Sequence, residues 1–403
     1  MPLTTASEVI DALGGTKAVA EALNVGASAV SNYRKQGFPA RQYGTLAQLC
    51  AARQLDVDNA LFGGLTPPPA SGATPPTAPA ASGTADTLMQ IFAEAGFNRI
   101  NTHILQPAAP YIKLLGEEMR ARLYMFTGPD GEELCLRPDL TVPTVRAYVE
   151  RGMEGEKRLS YCGTAFRYQP RGVGQPEEFT QVGFEIINGT DFRVDEDAAL
   201  RLIVQAVEAA GLQDYIFKIN DMLLFTTFLQ LRIPNMNIRD RLILSYRQGA
   251  DMDITLARLS RPREMERAPH LDAEICNKIA DLLRLDAPLA QTKAAFPEEL
   301  HEHMERLEAQ AEAAGVASDR IRFAPALGRK LAYYNGLAFE IHAPKRDGTD
   351  VIVATGGHYI QLLTHLGARG VSAVRDTLGR AVGGAVGGAV NLERLADAVE
   401  AQT

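Results

Sequence analysis

The residues best equipped to hold a small charged molecule lie between 159 and 188. The segment reads as a strand closing on Phe166-Arg167, a polar Gly/Pro loop, and a second strand. Along that second strand Phe179, Gln181, Gly183 and Glu185 alternate, so they share one face. Gln181 and Glu185 therefore point the same way, four residues apart, and such a pair can accept hydrogen bonds from an ammonium or an imidazole. A solvated sheet face is the plainer alternative. A second candidate surface is helical. Ser28, Ser31, Asn32, Arg34 and Lys35 would lie on one short helix, and these side-chain types contact base edges or phosphates in DNA. His301-x-His303 has the types of a metal site, but in a charged helix the pair reads as a solvated face. Neither metal nor cofactor is expected.

These residues need elements to position them. Residues 65–83, LTPPPASGATPPTAPAASG, carry no charge and no large apolar residue after Leu65. Such a stretch cannot bury a core, so we expect a linker over 65–85 between two parts. The first, residues 1–64, predicts helices near Ser7–Leu13, Lys17–Leu23 (capped by Thr16), Ala27–Lys35 and Arg41–Leu55, with a turn at Asn24-Val25-Gly26: a helix-turn-helix. The second, residues 86–403, opens with a helix over Leu88–Ala95. It continues with short apolar runs at 123–126, 134–136, 159–161 and 182–187, a helix over 196–210 and a helical block over 237–315. Strands over 321–363, a Gly-rich stretch and a last helix, Leu392–Ala401, follow. Hairpin-like strand spacing with helices in separate blocks predicts an α+β domain on an antiparallel sheet.

Composition narrows the classes. No uncharged apolar run is long enough to span a bilayer, and Met1-Pro-Leu-Thr-Thr lacks a signal peptide's regions, so we expect a cytoplasmic location without membrane contact. Cys50, Cys135, Cys162 and Cys276 form no C-x-x-C pair. The net charge is −8, and the five basic and five acidic residues of 1–64 balance, which leaves little counterion-release affinity for DNA.

The 159–188 segment resembles motif 2 of class II aminoacyl-tRNA synthetases, in its histidyl form: Phe-Arg-x-Glu, loop, Gln-Phe-x-Gln-x-Gly-x-Glu. Leu136-Arg137-Pro138-Asp139-Leu140-Thr141 is similar to Leu-Arg-Pro-Glu-x-Thr. The run Gly328 to Glu340 is similar to the histidine-specific peptide Arg-Gly-Leu-Asp-Tyr-Tyr-Thr-Gly-x-x-Phe-Glu. Gly356-Gly357-His358-Tyr359 stands where the family has Gly-Gly-Arg-Tyr, and Leu392-Glu393-Arg394-Leu395 resembles the end of motif 3. The resemblance covers about 86–403 and implies a class II synthetase-like fold. It also implies a histidine pocket in which Asp139 and Gln181 hold the α-amino group, Glu185 helps bind the ligand, Arg329 faces the carboxylate, and Tyr333 and Tyr334 line the imidazole site.

Departures fall on the ATP side. Arg167 and Arg394 are residual motif 2 and motif 3 cations. Gln169 replaces the motif 2 glutamate, the loop arginines fall on Gln175 and Glu177, motif 1's proline falls on His103, and the Gly-Gly-Arg-Tyr arginine falls on His358. Adenylate formation needs fixed cations, and a carboxylate beside a triphosphate repels it. The sequence closes soon after motif 3, so neither an anticodon-binding domain nor tRNA binding is expected. This pattern, with Gly116-Glu117-Glu118-Met119-Arg120-Ala121-Arg122, resembles the regulatory-subunit branch. Its members bind histidine, pair with a short-form ATP phosphoribosyltransferase catalytic subunit and do no chemistry themselves. The resemblance implies a homodimer or larger hetero-oligomer. The N-terminal helices resemble small Cro/repressor modules and keep two alternatives open: a histidine-responsive DNA-binding regulator, and a histidyl-tRNA synthetase-like enzyme.

Overall fold

A computed structural model of the chain describes residues 3–23, 25–38, 45–46, 49–50, 53, 55, 57–58, 61, 80–115, 117–169, 176–260, 270–328, 334–368 and 384–403. It divides into two compact units, Met1–Ala78 and Pro79–Thr403.

In the first unit α1 (Ala6–Ala12), α2 (Gly15–Ala22) and α3 (Ala27–Gln36) close on Val9, Ile10, Val19, Val30 and Leu46. Thr5 and Glu8 start α1 with a reciprocal capping box, Glu8 N donating to Thr5 Oγ1 at 3.3 Å and Thr5 N donating to Glu8 Oε2 at 3.0 Å. The expected Thr16 cap does not form. Gly14, at φ 96°, turns the chain so that α2 begins at Gly15, before Thr16 is reached. Thr16 Oγ1 instead accepts from Arg34 Nε at 3.3 Å. The fourth expected helix, Arg41–Leu55, lies mostly outside the described residues, as does the proline-rich stretch 65–79.

The second unit opens with α4 (Ala80–Glu94), so the last residues assigned to the linker are helical. Their alanines favour helix once the prolines end. Then come β1 (Asn98–Arg99), β2 (Leu105–Pro107), α5 (Ala108–Leu114), α6 (Glu117–Arg120), β3 (Met125–Thr127), β4 (Glu133–Leu136), α7 (Thr141–Glu150), β5 (Lys157–Phe166), β6 (Glu178–Ile187), α8 (Phe192–Ala209) and β7 (Ile216–Asp221). The helical block holds α9 (Met222–Arg232), α10 (Met236–Arg247), α11 (Met252–Ser260), α12 (Ala273–Leu283), α13 (Leu289–Thr292) and α14 (His301–Ala313). The chain ends through β8 (Ile321–Phe323), β9 (Tyr334–Pro344), β10 (Asp350–Tyr359), α15 (Gln361–His365), β11 (Ala385–Asn391) and α16 (Leu392–Ala401).

Eight strands form one sheet in the order β1-β5-β6-β11-β10-β9-β7-β8, and β2-β4-β3 form a small one. The large sheet is antiparallel in its interior but mixed overall, because β1 pairs parallel to β5 and β8 parallel to β7. Both parallel edges join strands separated by long connections, which a parallel pair requires. Helices α4, α8 and α16 cover one face. There Phe184 of β6 meets Phe92 and Phe97 edge to face, with centroids 5.1 and 5.3 Å apart.

The Gly-rich stretch before the last helix contains a central strand, β11, which periodicity did not reveal. Gly388 pairs with Gly356 and Gly387 with Gly357. A Cβ on Gly183 would stand 2.6 Å from the Gly388 carbonyl oxygen, and one on Gly357 would stand 2.6 Å from the Leu337 carbonyl oxygen. Glycine normally weakens a strand, but here it permits close backbone approach. His301-x-His303 is not a solvated face either. His303 is buried, with Nε2 2.8 Å from Asp221 Oδ2, while His301 Nε2 lies 2.9 Å from the Lys293 carbonyl oxygen.

Candidate functional site

The face of β6 opposite α4 and α8 floors a small cavity of about 20 Å³. Gln181 and Glu185 rise from β6, Asp139 comes from the turn between β4 and α7, Thr141 from the start of α7, and Tyr334, Thr355 and Tyr359 from β9 and β10. Period-two alternation thus delivers Gln181 and Glu185 to one side, as the sequence predicts. Backbone glycines of β11, Gly387 and Gly388, complete the floor without side-chain bulk.

Each polar group is held by a nearby element. Gln181 Oε1 accepts from Leu140 N at 2.7 Å, which ties the β4–α7 turn to the sheet. Asp139 Oδ1 accepts from Val142 N at 3.0 Å in the first turn of α7. Asp139 Oδ2 is buried without a hydrogen-bond partner among the described residues, and burial pushes this carboxyl up. Glu185 is 1% exposed. Its Oε1 accepts from Tyr161 Oη at 3.0 Å and its Oε2 from Tyr359 Oη at 2.6 Å. Burial raises Glu185 to about 7, against the hydroxyl donors that favour its charge. Two carboxylates withdrawn from water beside this small cavity favour a ligand that brings positive charge and N–H donors.

A larger cleft, about 270 Å³, adjoins this cavity through Arg167, Tyr334 and Thr355. Arg167 Nε donates to the Pro138 carbonyl oxygen at 2.7 Å, and its guanidinium lies 5.0 Å over the Phe179 ring. Arg394 donates to the Ile352 carbonyl oxygen at 3.1 Å, and burial, with Arg167 and Arg122 nearby, pulls it down to about 10. The departures from the synthetase pattern are built in by packing. Gln169 Oε1 accepts from Arg122, and Glu177 accepts from Tyr124 and sits 3.4 Å from Gln169 N. Gln175 lies outside the described residues. His358 does not belong with these departures. One residue before Tyr359, it takes the other side of β10, where it is buried 3.0 Å from Glu196 Oε1 and stacked on Phe192 of α8.

Asp139, Gln181, Glu185, Tyr334 and Arg167 are thus brought together, with Arg394 in the adjoining cleft. Arg329 and Tyr333 lie outside the described residues. In the N-terminal unit Ser28, Ser31 and Asn32 are exposed on one side of α3. Arg34 turns inward: Nη2 sits 2.6 Å from Asp11 Oδ1 and Nη1 2.8 Å from Ser7 Oγ, which ties α3 to α1. The Lys35 side chain lies outside the described residues. Sequence reading missed Thr141, Tyr161, Thr355 and Tyr359 as parts of the site. Tyr161 had a faint signal: in the β5–β6 register it sits opposite Gly183, whose absent side chain makes room for a ring.

Residues 71–395 match the family model described as histidyl-tRNA synthetase. An ATP phosphoribosyltransferase regulatory subunit of Agrobacterium fabrum is 27% identical over 355 residues, spanning 71% of this chain and 91% of that protein. A crystal structure described as an ATP phosphoribosyltransferase regulatory subunit/histidyl-tRNA synthetase from Bacillus halodurans superposes with a TM-score of 0.60 at 21% identity, covering 82% of this chain and 81% of the other. An ATP phosphoribosyl transferase complex from Thermotoga maritima contains a chain that superposes with a TM-score of 0.51 at 16% identity, covering 77% of this chain and 97% of its own. The two structural likenesses are likenesses of fold.

Proposed function

The chain belongs to the histidyl-tRNA synthetase family, and on that premise we propose that it is a regulatory subunit of ATP phosphoribosyltransferase that binds histidine and does no aminoacylation chemistry itself. The name carried by its Agrobacterium relative supports the reading. The observation that carries it is the contrast within one site. The amino-acid side keeps Asp139, Gln181, Glu185 and Tyr334 around one small cavity. On the nucleotide side, Gln169 is engaged by Arg122 and Glu177 by Tyr124. The partner is a short-form catalytic subunit. Histidine inhibits the complex to the extent that it binds one conformational state better than another.

Isothermal calorimetry of the full chain with histidine tests this, alongside ATP–pyrophosphate exchange. The expected result is saturable histidine binding, about equal with and without ATP, and no exchange. Absence of histidine binding, or exchange above the blank, overturns it.

The exposed Ser28–Ser31–Asn32 side of α3 favours a second output, DNA binding by the N-terminal unit. Because Arg34 is committed to Asp11 and Ser7 and the unit's five basic and five acidic residues balance, binding should be weak with a shallow salt dependence. Footprinting at low salt should show protection that Asn32→Ala removes. Protection unaltered by that change, or none at all, dismisses this output.

A further inference from the structure

Tyr161 stands on β5, behind the cavity that Glu185 faces, and it is 1% exposed. Its hydroxyl is the middle of a chain. It donates to Glu185 Oε1 at 3.0 Å, and Thr141 Oγ1 lies 3.3 Å from it. A phenol that donates to a carboxylate has its own oxygen free to accept, so the Thr141 hydroxyl is the donor of the second bond. Tyr359 supplies a donor to the other carboxylate oxygen at 2.6 Å. Glu185 is therefore met by hydroxyl donors on both oxygens, and it lines the cavity.

We infer that Tyr161 is a positioning residue that keeps Glu185 an obligate hydrogen-bond acceptor through this hydroxyl relay, so that the pocket selects ligands presenting an N–H donor, such as an imidazole, over isosteric rings without one. The inference rests on the proposed histidine binding and deepens it. Without the relay, Glu185 would more readily take up a proton and offer an O–H, and the ligand's N–H would then face a donor. Burial already raises this carboxyl to about 7, so a modest change in its hydrogen bonding moves it across neutral pH. Among the described residues, the other charged and titratable groups facing it are Asp139 from the β4–α7 turn, Arg167 at the end of β5, Tyr334 from β9 and Tyr359 from β10. All of them remain in the variant. Glycine at 183, paired with Tyr161 across the strands, provides the space the phenol occupies, since a Cβ there would stand 2.8 Å from the phenol oxygen.

The test is histidine affinity of wild type and Tyr161→Phe by calorimetry from pH 5.5 to 8.5. The ligand's own titration is common to both proteins and cancels in the ratio of their dissociation constants. Loss of one hydrogen bond to a charged acceptor should raise the Glu185 pKa by roughly one unit, so the ratio should be about tenfold larger below pH 7 than at pH 8.5. A ratio that stays flat with pH would mean a packing role only and overturns the inference. Should Tyr161→Phe fail to fold, Thr141→Val removes the hydroxyl that supports both Tyr161 and Glu185 and should give a pH-dependent ratio of the same sign, and a flat ratio again overturns it. If wild type binds no histidine at any pH, the proposed function fails instead, so the two failures are distinguishable.

Discussion

Replacing Glu185 with glutamine should weaken histidine binding roughly 10- to 100-fold and, in the same protein, improve stability at pH 8 relative to pH 4. The binding loss follows from removing a charged acceptor in a dry site, where a charge-assisted bond contributes about 1.5–3 kcal/mol. The stability effect has the opposite sign because burial raises this carboxyl from 4.5 to about 7. A raised carboxyl holds its proton more tightly folded than unfolded. Below pH 4.5 both states are protonated and the buried group carries no penalty for charge. As pH rises from 4.5 to about 7 the unfolded chain ionises first, and folding loses on the order of 3 kcal/mol, from 1.36 kcal/mol per unit. Above pH 7 the penalty is constant. Glutamine carries no such penalty at any pH. Urea unfolding of both proteins at pH 4 and pH 8 measures this. The stability difference, variant minus wild type, should move by about 3 kcal/mol in the variant's favour, and a difference independent of pH contradicts the burial argument.

Gly387→Ala should destabilise the protein by about 1–3 kcal/mol and abolish ligand binding. Gly387 pairs with Glu185 on one side and Gly357 on the other, in the middle of the sheet. A methyl there would fall on the Glu185 carboxylate and lie 2.6 Å from the Phe184 carbonyl oxygen. Neither can yield cheaply: the carbonyl is part of β6, and the carboxylate is held by Tyr359 and Tyr161. The control is Gly83→Ala in α4, where nothing lies within 4 Å of the added carbon. There the helix should be unharmed or slightly more stable. Urea midpoints and histidine calorimetry on the two variants decide it. An alanine at 387 that leaves both unchanged would mean that the strands separate more easily than the packing implies.

What was legible beforehand depended on how local the physics was. The period-two run 179–185 placed Gln181 and Glu185 on one face because side-chain alternation is a property of one strand. The helix Leu392–Ala401 was bounded correctly, with Asn391 accepting from Arg394 N at 2.9 Å as its cap. Strand β11 was missed because glycines at 384, 387 and 388 read as loop, and their reason, close approach to β6 and β10, lies in other segments. Arg34 read as a DNA contact by its type, but its partners Asp11, Ser7 and Thr16 lie on α1 and α2. Likewise His358 aligned with a site arginine yet faces α8, since which side of β10 it takes is set by the sheet.

From its amino acids alone this protein carries the α+β class, the family likeness and the side chains for a cationic amino acid, because motifs and alternation are written in short windows. Tertiary structure alone decided the mixed edges of the sheet, the glycine floor, the two hydroxyls on Glu185 and the burial of Asp139. Each of those depends on segments far apart in the chain meeting in a volume that excludes water, and burial, not residue type, sets how strongly a carboxylate demands a partner.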